Sequence, residues 1–252
     1  MATAALPFSV VIPAKNEAKN IARLIGEIVT HCDKLGEFEI IVVDDASDDG
    51  MAEILRDQCR ATPQLRCLRH DRSGGQSAAL NSGIAVAKGD IICTLDGDGQ
   101  NPPSEIPKLL AVFAEDQSGM LGLVAGQRKK RQDRLSKRLA SKFANKLRGS
   151  LLKDGTRDTG CGLKAFRRDA YLRLPFFRNM HRYLPALFLR DNWLIAHVDV
   201  DHASRWGGQS HYTNFERAIE GLVDLLGVIW LIRRRKQCSV VNDSSQSPQQ
   251  DH

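Results

Sequence analysis

Two carboxylates separated by one glycine, Asp96-Gly97-Asp98, leave the apolar stretch Asp90–Leu95, and Gly99-Gln100 follows them. Carboxylates at i and i+2 converge once the chain turns, and the flanking glycines permit the turn. Carboxylate oxygens are hard ligands suited to Mg²⁺ or Mn²⁺, ions that take one or two of them together with substrate phosphates. Gln100 adds a third candidate oxygen. Asp96, Asp98 and Gln100 are therefore the candidate metal ligands, although an isolated D-G-D is more often a plain acidic turn. A calcium loop does not fit. The EF-hand pattern needs Gly at position 6 and Glu at position 12. Counted from Asp96 those positions hold Asn101 and Pro107; counted from Asp45, Gly50 fits but Arg56 does not.

Other catalytic patterns are missing. No G-x-G-x-x-G follows the first apolar stretch, no G-x-x-x-x-G-K-[ST] occurs, and no G-x-S-x-G supports a serine nucleophile. Gly74-Gly75 before a helical stretch admits a phosphate at a helix N-terminus, or is a simple turn. Of seven histidines, His211 stands out by its place near the end of the fold.

The elements that must position these residues alternate. Ser9–Ile12, Phe38–Val43, Leu65–Arg69, Asp90–Leu95 and Leu121–Ala125 read as strands. Glu17–His31, Met51–Arg60, Gln76–Ala87 and Glu105–Glu115 read as helices, the first with Ile21, Leu24, Ile25 and Ile28 on one face. Near-continuous apolar strands in β-α-β order predict an open, doubly wound, mostly parallel α/β sheet. Ligands bind beyond the carboxyl ends of such strands. Three of those ends are polar: Pro13–Glu17, Asp44–Gly50 and Asp96–Gln100. Downstream, a basic helix over Leu135–Leu152, strands at Leu163–Phe166 and Trp193–Val200, and a long helix over Thr213–Lys236 are expected. The Ser/Gln/Asp-rich stretch Gln237–His252 reads as a disordered tail.

Composition narrows the classes. With 252 residues, 42% hydrophobic and 26% charged, the chain is of single-domain size and globular. No apolar run reaches the ~18–20 residues of a spanning helix; Glu220 and Asp224 interrupt the longest candidate. Residues 1–8 lack a signal-peptide pattern, which points away from secretion. The six cysteines form no C-x-x-C pair and read as reduced buried thiols. The net charge of +6 is concentrated in Arg128–Arg148, where Asp133 is the single acid, and in Arg233–Lys236. Such clusters bind nucleic acid, anionic lipid or phosphorylated substrates, or are solvated faces.

Taken together the motifs are far more specific than any one of them. Val10–Glu17, Val42–Gly50, Asn81-Ser82-Gly83 before Ala87–Asp90, and Leu95–Gln100 occur in the order and spacing of inverting family 2 glycosyltransferases, which the chain resembles over roughly residues 8–236. Gly126-Gln127-Arg128, Asp158–Phe166 and Arg205–Tyr212 look like the branch containing dolichyl-phosphate mannose synthase and bacterial polyprenyl-phosphate sugar synthases. The resemblance implies the GT-A fold, with a nucleotide-sugar half and an acceptor half. It implies Pro13, Lys15, Glu17 and Asp45 around base and ribose, and Asp96, Gly97, Asp98 and Gln100 at the diphosphate and its Mg²⁺ or Mn²⁺. Arg128, Arg205 and His211 are implied near the phosphates or sugar. Lys15 stands where the family usually has Tyr, and His211 where it often has Lys.

That chemistry has a physical logic. Departure of a nucleoside diphosphate leaves negative charge, which a divalent ion and fixed cations such as Arg128 and Arg205 stabilise. A sugar hydroxyl acceptor needs a base. A phosphate monoester with a second pKa of about 6 is already ionised, so it needs cations and positioning instead. Asp158 either holds the sugar or fixes the acceptor loop. The expected partners are a UDP- or GDP-linked sugar, a polyprenyl phosphate and an anionic membrane surface. The expected location is the cytoplasm, peripheral on the inner face of the plasma membrane. The expected organisation is a catalytic domain over 1–212, an amphipathic, interfacial or simply packed helix over 213–236, and the tail. Transfer to a sugar hydroxyl is the competing enzyme reading. A nucleic-acid module is the competing non-enzyme reading, and it is disfavoured because aromatics make up only 6% and do not interleave with the basic run.

Overall fold

The computed structural model describes residues 7–129, 148–149, 151–203, 214–235 and 238, with the side chains of 214–219 excepted. Arg205, His211, Lys236, the basic segment 130–147 and all of the tail but Cys238 lie outside the described residues.

Seven strands form one sheet: β1 (Phe8–Ala14), β2 (Phe38–Asp44), β3 (Leu65–Arg69), β4 (Ile91–Thr94), β5 (Leu121–Arg128), β6 (Lys164–Arg167) and β7 (Leu194–Val200). Their spatial order is β3-β2-β1-β4-β6-β5-β7. All neighbours are parallel except β6, which runs antiparallel between β4 and β5. The helices are α1 (Ile21–Cys32), α2 (Met51–Ala61), α3 (Gln76–Val86), α4 (Ile106–Glu115), α5 (Arg168–Leu172), α6 (Leu184–Arg190) and α7 (Asn214–Arg233). The sheet is mixed α/β and mostly parallel, as the alternation predicts.

The apolar runs explain the layers. Val10, Val11 and Ile12 of β1 and Ile40–Val43 of β2 are fully buried, because helices cover both faces. On one face Val10, Ile12, Ile40 and Val42 pack against Ile21, Leu24, Ile25 and Ile28 of α1 and against Leu109 and Phe113 of α4. On the other, Val11, Ile41 and Val43 meet Ala79, Leu80 and Ile84 of α3, a cluster that continues to Phe166, Leu187, Phe188 and Val228. Each such side chain contributes roughly 1.5–3 kcal/mol on burial. Gly83 lets α3 lie against the sheet, since a Cβ there would sit 2.6 Å from Val11 Cγ1.

The chain steps outward from β1 to β3 and returns to place β4 on β1's other side. That reversal opens a crevice at the carboxyl ends of β1 and β4. Some boundaries differ from the sequence reading. Helix α1 starts at Ile21 rather than Glu17, because residues 17–20 form a turn in which the Glu17 carbonyl accepts from the Asn20 and Ile21 amides at 2.9 and 3.0 Å. Helices α5 and α6 went unread: at 5 and 7 residues they are too short to show a period. The thiols are free, but only Cys32, Cys93 and Cys161 are buried; Cys59 and Cys67 are half-buried and Cys238 is exposed.

Candidate active site

The loops after β1 and β2 interlock. Ser47 Oγ accepts from the Asn16 amide at 2.9 Å, Asn16 Oδ1 accepts from the Asp48 amide at 3.0 Å, and Asp49 Oδ2 accepts from the Ala18 amide at 2.8 Å. Asn16 and Ala46 take φ of 57° and 58°, a left-handed backbone that L-residues adopt only where the surroundings hold it. Along this edge Pro13 is half-buried, Lys15 is exposed and Glu17 is buried.

Asp45 is 4% exposed and turns its carboxylate away from bulk water into the loop that precedes α3. Oδ1 accepts from the Gly74 amide at 2.8 Å and lies 2.7 Å from His70 Nδ1; Oδ2 accepts from Ser73 Oγ at 2.7 Å and the Gly75 amide at 2.9 Å. Burial raises its pKa, but these donors outweigh burial and hold the carboxyl below the ordinary range. His70 bridges on to Ser82 Oγ at 2.9 Å. Asp45 thus shapes the Gly74-Gly75 turn, a link between two loops that sequence spacing does not reveal.

Asp96 and Asp98 leave β4 at the crevice, both half-buried. Gln76 Nε2, in the first turn of α3, donates to Asp96 Oδ1 at 2.7 Å, and Asn101 Nδ2 donates to Oδ2 at 3.2 Å. Gly162 lies over this carboxylate, so a Cβ there would come within 2.2 Å of Asp96 Oδ2. Burial first, and then the nearby Asp98, push the Asp96 carboxyl up to about 6. The turn is completed by Gly99 at φ 73°, and Asp98 Oδ1 accepts from the Gln100 amide at 3.1 Å. Gly97 packs on Ala14 and Glu17, tying this turn to the β1 loop.

From the far side, Arg128 at the end of β5 meets Asp158 in a two-pronged pair, Nε to Oδ2 and Nη2 to Oδ1, the latter at 2.7 Å. The Gly160 amide also donates to Asp158 Oδ1, at 3.2 Å. Asp158 therefore anchors the 158–162 loop. His202, two residues beyond β7, joins the site although no motif marks it. Its Nδ1 is buried and has no hydrogen-bond partner among the described residues. Burial, then the Arg128 cation, push its pKa down, while Asp98, Asp158 and the Gln100 backbone pull it up. The only sequence signal for His202 was a lone histidine at a strand end.

The described ends of the basic run are used within the fold. Lys129 pairs with Asp201 at 3.3 Å. Arg148 is 7% exposed, pairs with Asp154 at 2.6 Å and sits 5.6 Å from the Tyr183 ring centroid.

The donors fit a Mg²⁺ or Mn²⁺ ion. They are oxygens, and the raised Asp96 carboxyl is the signature of two acids crowded in a desolvated cleft. Among the described residues no three His, Cys, Asp or Glu side chains group closely enough to hold an ion alone. That suits a metal whose shell is completed by substrate phosphates and water.

Comparison with known proteins identifies the family and the fold. Residues 9–174 match the family model described as Glycosyl transferase family 2. An undecaprenyl-phosphate 4-deoxy-4-formamido-L-arabinose transferase of Aeromonas hydrophila is 33% identical over 224 residues, covering 88% of this chain. The chain spans 65% of that curated relative's length. A mannosyltransferase of Pyrobaculum calidifontis, solved with GDP-Man and Mn²⁺, superposes with a TM-score of 0.68 at 21% identity, covering 93% of this chain and 66% of that one. Glucosyl-3-phosphoglycerate synthase of Mycobacterium tuberculosis, solved with Mn²⁺, UDP and glucosyl-3-phosphoglycerate, superposes with a TM-score of 0.65 at 20% identity, covering 90% and 80%. These neighbours share the GT-A fold. With the motifs in order, the acidic strand ends gathered at one crevice and the family model matched across most of the sheet, the chain belongs to glycosyl transferase family 2.

Proposed function

We propose that the protein transfers a sugar, with inversion, from a UDP- or GDP-linked donor to a polyprenyl phosphate, assisted by Mg²⁺ or Mn²⁺. The observation that carries this is the Asp96 carboxyl, desolvated beside Asp98 at the sheet's switch point, where a cation bound with a diphosphate relieves the crowding. The likeness to an undecaprenyl-phosphate sugar transferase supports the choice of acceptor.

In this reading Asp98, Gln100 and Asp96 hold the ion. The bound ion supplies Lewis-acid stabilisation of charge on the departing diphosphate. Arg128, held by Asp158, presents a fixed guanidinium on the opposite side. Pro13, Lys15 and Glu17 line the base and ribose end, and Asp45 shapes the loop beneath it. Arg205 and His211 are assigned to the phosphates by resemblance alone. An oxygen of the acceptor phosphate attacks the anomeric carbon, and the bond to the diphosphate breaks on the opposite face. The nucleophile is already ionised, so no side chain has to remove a proton.

We place the enzyme at the cytoplasmic face of the membrane, held at its surface. Among the described residues no helix is long and apolar enough to cross a membrane. Helix α7 packs Leu225 and Val228 inward and leaves Leu222, Val223, Leu226 and Trp230 more than half exposed, next to Arg233–Arg235. That pattern suits a membrane interface.

The test is transfer from a panel of nucleotide sugars to undecaprenyl phosphate with Mg²⁺ or Mn²⁺. One donor should give a lipid-linked sugar, and Asp98→Ala should abolish both product and the Mn²⁺-dependent thermal shift caused by the nucleotide. Transfer to a sugar hydroxyl but not to the lipid phosphate would select the competing acceptor class.

A further inference from the structure

Behind Asp96 a cavity of about 100 Å³ opens between the first turn of α3, the loop 159–162 and the start of α6. It has room for several waters, or for one tetrahedral oxyanion. Three basic side chains line it: Lys164 from β6, and His181 and Arg182 from the turn before α6.

Lys164 is 4% exposed. Its ammonium has three donors. Among the described residues it bonds to the Cys161 carbonyl and forms no ion pair. Burial pushes its pKa down, while Cys161 and the Asp96 and Asp158 carboxylates pull it up; a further anion in the cavity would favour its charged form. Arg182 presents a second cation to the same space, and its guanidinium likewise makes no hydrogen bond or ion pair among the described residues. His181 contributes a neutral donor. Ser77 Oγ accepts from the His181 amide at 3.3 Å and lies 2.7 Å from Nδ1; with the Ser77 hydroxyl donating there, the ring proton would sit on Nε2. Burial, with Lys164 and Arg182 nearby, pushes this imidazole down to about 3, which keeps it neutral. Asp96 is the one acid in the lining, and both its oxygens already accept hydrogen bonds from Gln76 and Asn101. Leu80 and Leu184 supply apolar wall.

We propose that this cavity is an oxyanion subsite that seats the phosphate of the acceptor, with Lys164, Arg182 and the His181 Nε2–H as its donors. The assignment to the acceptor rests on the function proposed above. The donor diphosphate has its own neutralising groups in the Arg128 guanidinium and the divalent ion that Asp98 and Gln100 would hold. The cavity adjoins Asp96 and is walled by the 159–162 loop. A phosphate here is held by charge, and as an already ionised nucleophile it needs no base.

Two variants test this in the full-length protein. Lys164→Met keeps the length of the side chain and removes the charge. Arg182→Gln changes a half-buried group that loses no hydrogen bond or ion pair among the described residues, so it should fold even if the first does not. Each should raise the KM for undecaprenyl phosphate about tenfold to a hundredfold, the effect of one lost charge-assisted hydrogen bond. In Arg182→Gln the donor KM and the nucleotide-dependent thermal shift with Mg²⁺ should stay at wild-type values; Lys164 lies in the field of Asp96, so its variant is read on the acceptor KM alone. An unchanged acceptor KM in Arg182→Gln overturns the proposal, and so does a rise confined to the donor KM, which would place a donor group in the cavity. If the wild type transfers no sugar to any polyprenyl phosphate, the proposed acceptor fails and the subsite is read on its own. Inorganic phosphate added to the Mg²⁺–nucleotide complex should then stabilise the wild type and not Arg182→Gln. Equal response of the two proteins to phosphate overturns the subsite as well.

Discussion

Asp96 holds its proton more tightly in the folded chain, where burial and Asp98 raise it to about 6, than in the unfolded chain, where it titrates near 3.8. Between those values the folded state binds more protons, so this group's contribution to stability falls as pH rises from about 4 to about 6 and is level above. Metal-free wild type should therefore lose more stability across that window than Asp96→Asn, as read from urea midpoints; equal slopes would remove the pH claim. Protons and the metal compete for the same oxygens, so stabilisation by Mg²⁺ with nucleotide should strengthen above about pH 6. Gly162 is the strictest single position near this carboxylate. A methyl group at 162 would occupy the space of Asp96 Oδ2, so Gly162→Ala should displace the carboxylate and lower turnover by at least about a hundredfold, a loss of ~2.7 kcal/mol of transition-state stabilisation. Far-ultraviolet circular dichroism should remain that of a folded chain, and wild-type turnover in this variant would contradict the contact. The need for glycine in T-G-C-G was not legible from spacing, because Asp96 and Gly162 are 66 positions apart in the chain and meet only across β4 and β6.

At the scale of elements, the strand ends could be read and their wiring could not. The polar segments Pro13–Glu17, Asp44–Gly50 and Asp96–Gln100 mark the carboxyl edge of the sheet as the candidate site. That Asp45 pins the loop before α3, by accepting from Ser73, Gly74 and Gly75, needs the packed α3 to bring residues some 30 positions away into reach. Asp45→Ala would leave those donors without their acceptor and should cost about 2–4 kcal/mol of unfolding free energy. It should also weaken nucleotide binding through the loosened loop. Chemical denaturation together with nucleotide titration checks both, and a variant as stable as wild type would show that water replaces the carboxylate. Period reading found long helices such as α1 and passed over α5 and α6, whose few residues are fixed by burial of Tyr171, Leu187 and Phe188 rather than by local pattern. Helix α7 serves two surfaces. Asn179 Nδ2 donates to Asp224 Oδ2 at 3.0 Å and Arg190 Nε to the Leu231 carbonyl at 3.0 Å, which fixes its inner face to the turn before α6 and to α6 itself.

For the whole molecule, a net charge of +6 and an exposed apolar face on α7 predict binding to anionic vesicles that weakens as salt rises. Trp230→Ser should lower co-sedimentation with such vesicles severalfold and leave nucleotide binding intact; undiminished sedimentation would argue that α7 faces something else. The sequence alone determined the α/β alternation, the mostly parallel sheet, the candidate edge and the family, because each rests on local periodicity or on motifs contiguous in the chain. It also named Asp96, Asp98, Arg128 and Asp158. Tertiary structure alone decided that Arg128 and Asp158 form one pair, that Arg148 is spent inside the fold, that His202 reaches the site, and that Lys164, His181 and Arg182 surround one cavity. The physical reason is common to all four. Burial and ion pairing are set by which side chains face each other across the packed sheet, and the antiparallel insertion of β6 between β4 and β5 brings together residues that no spacing rule connects.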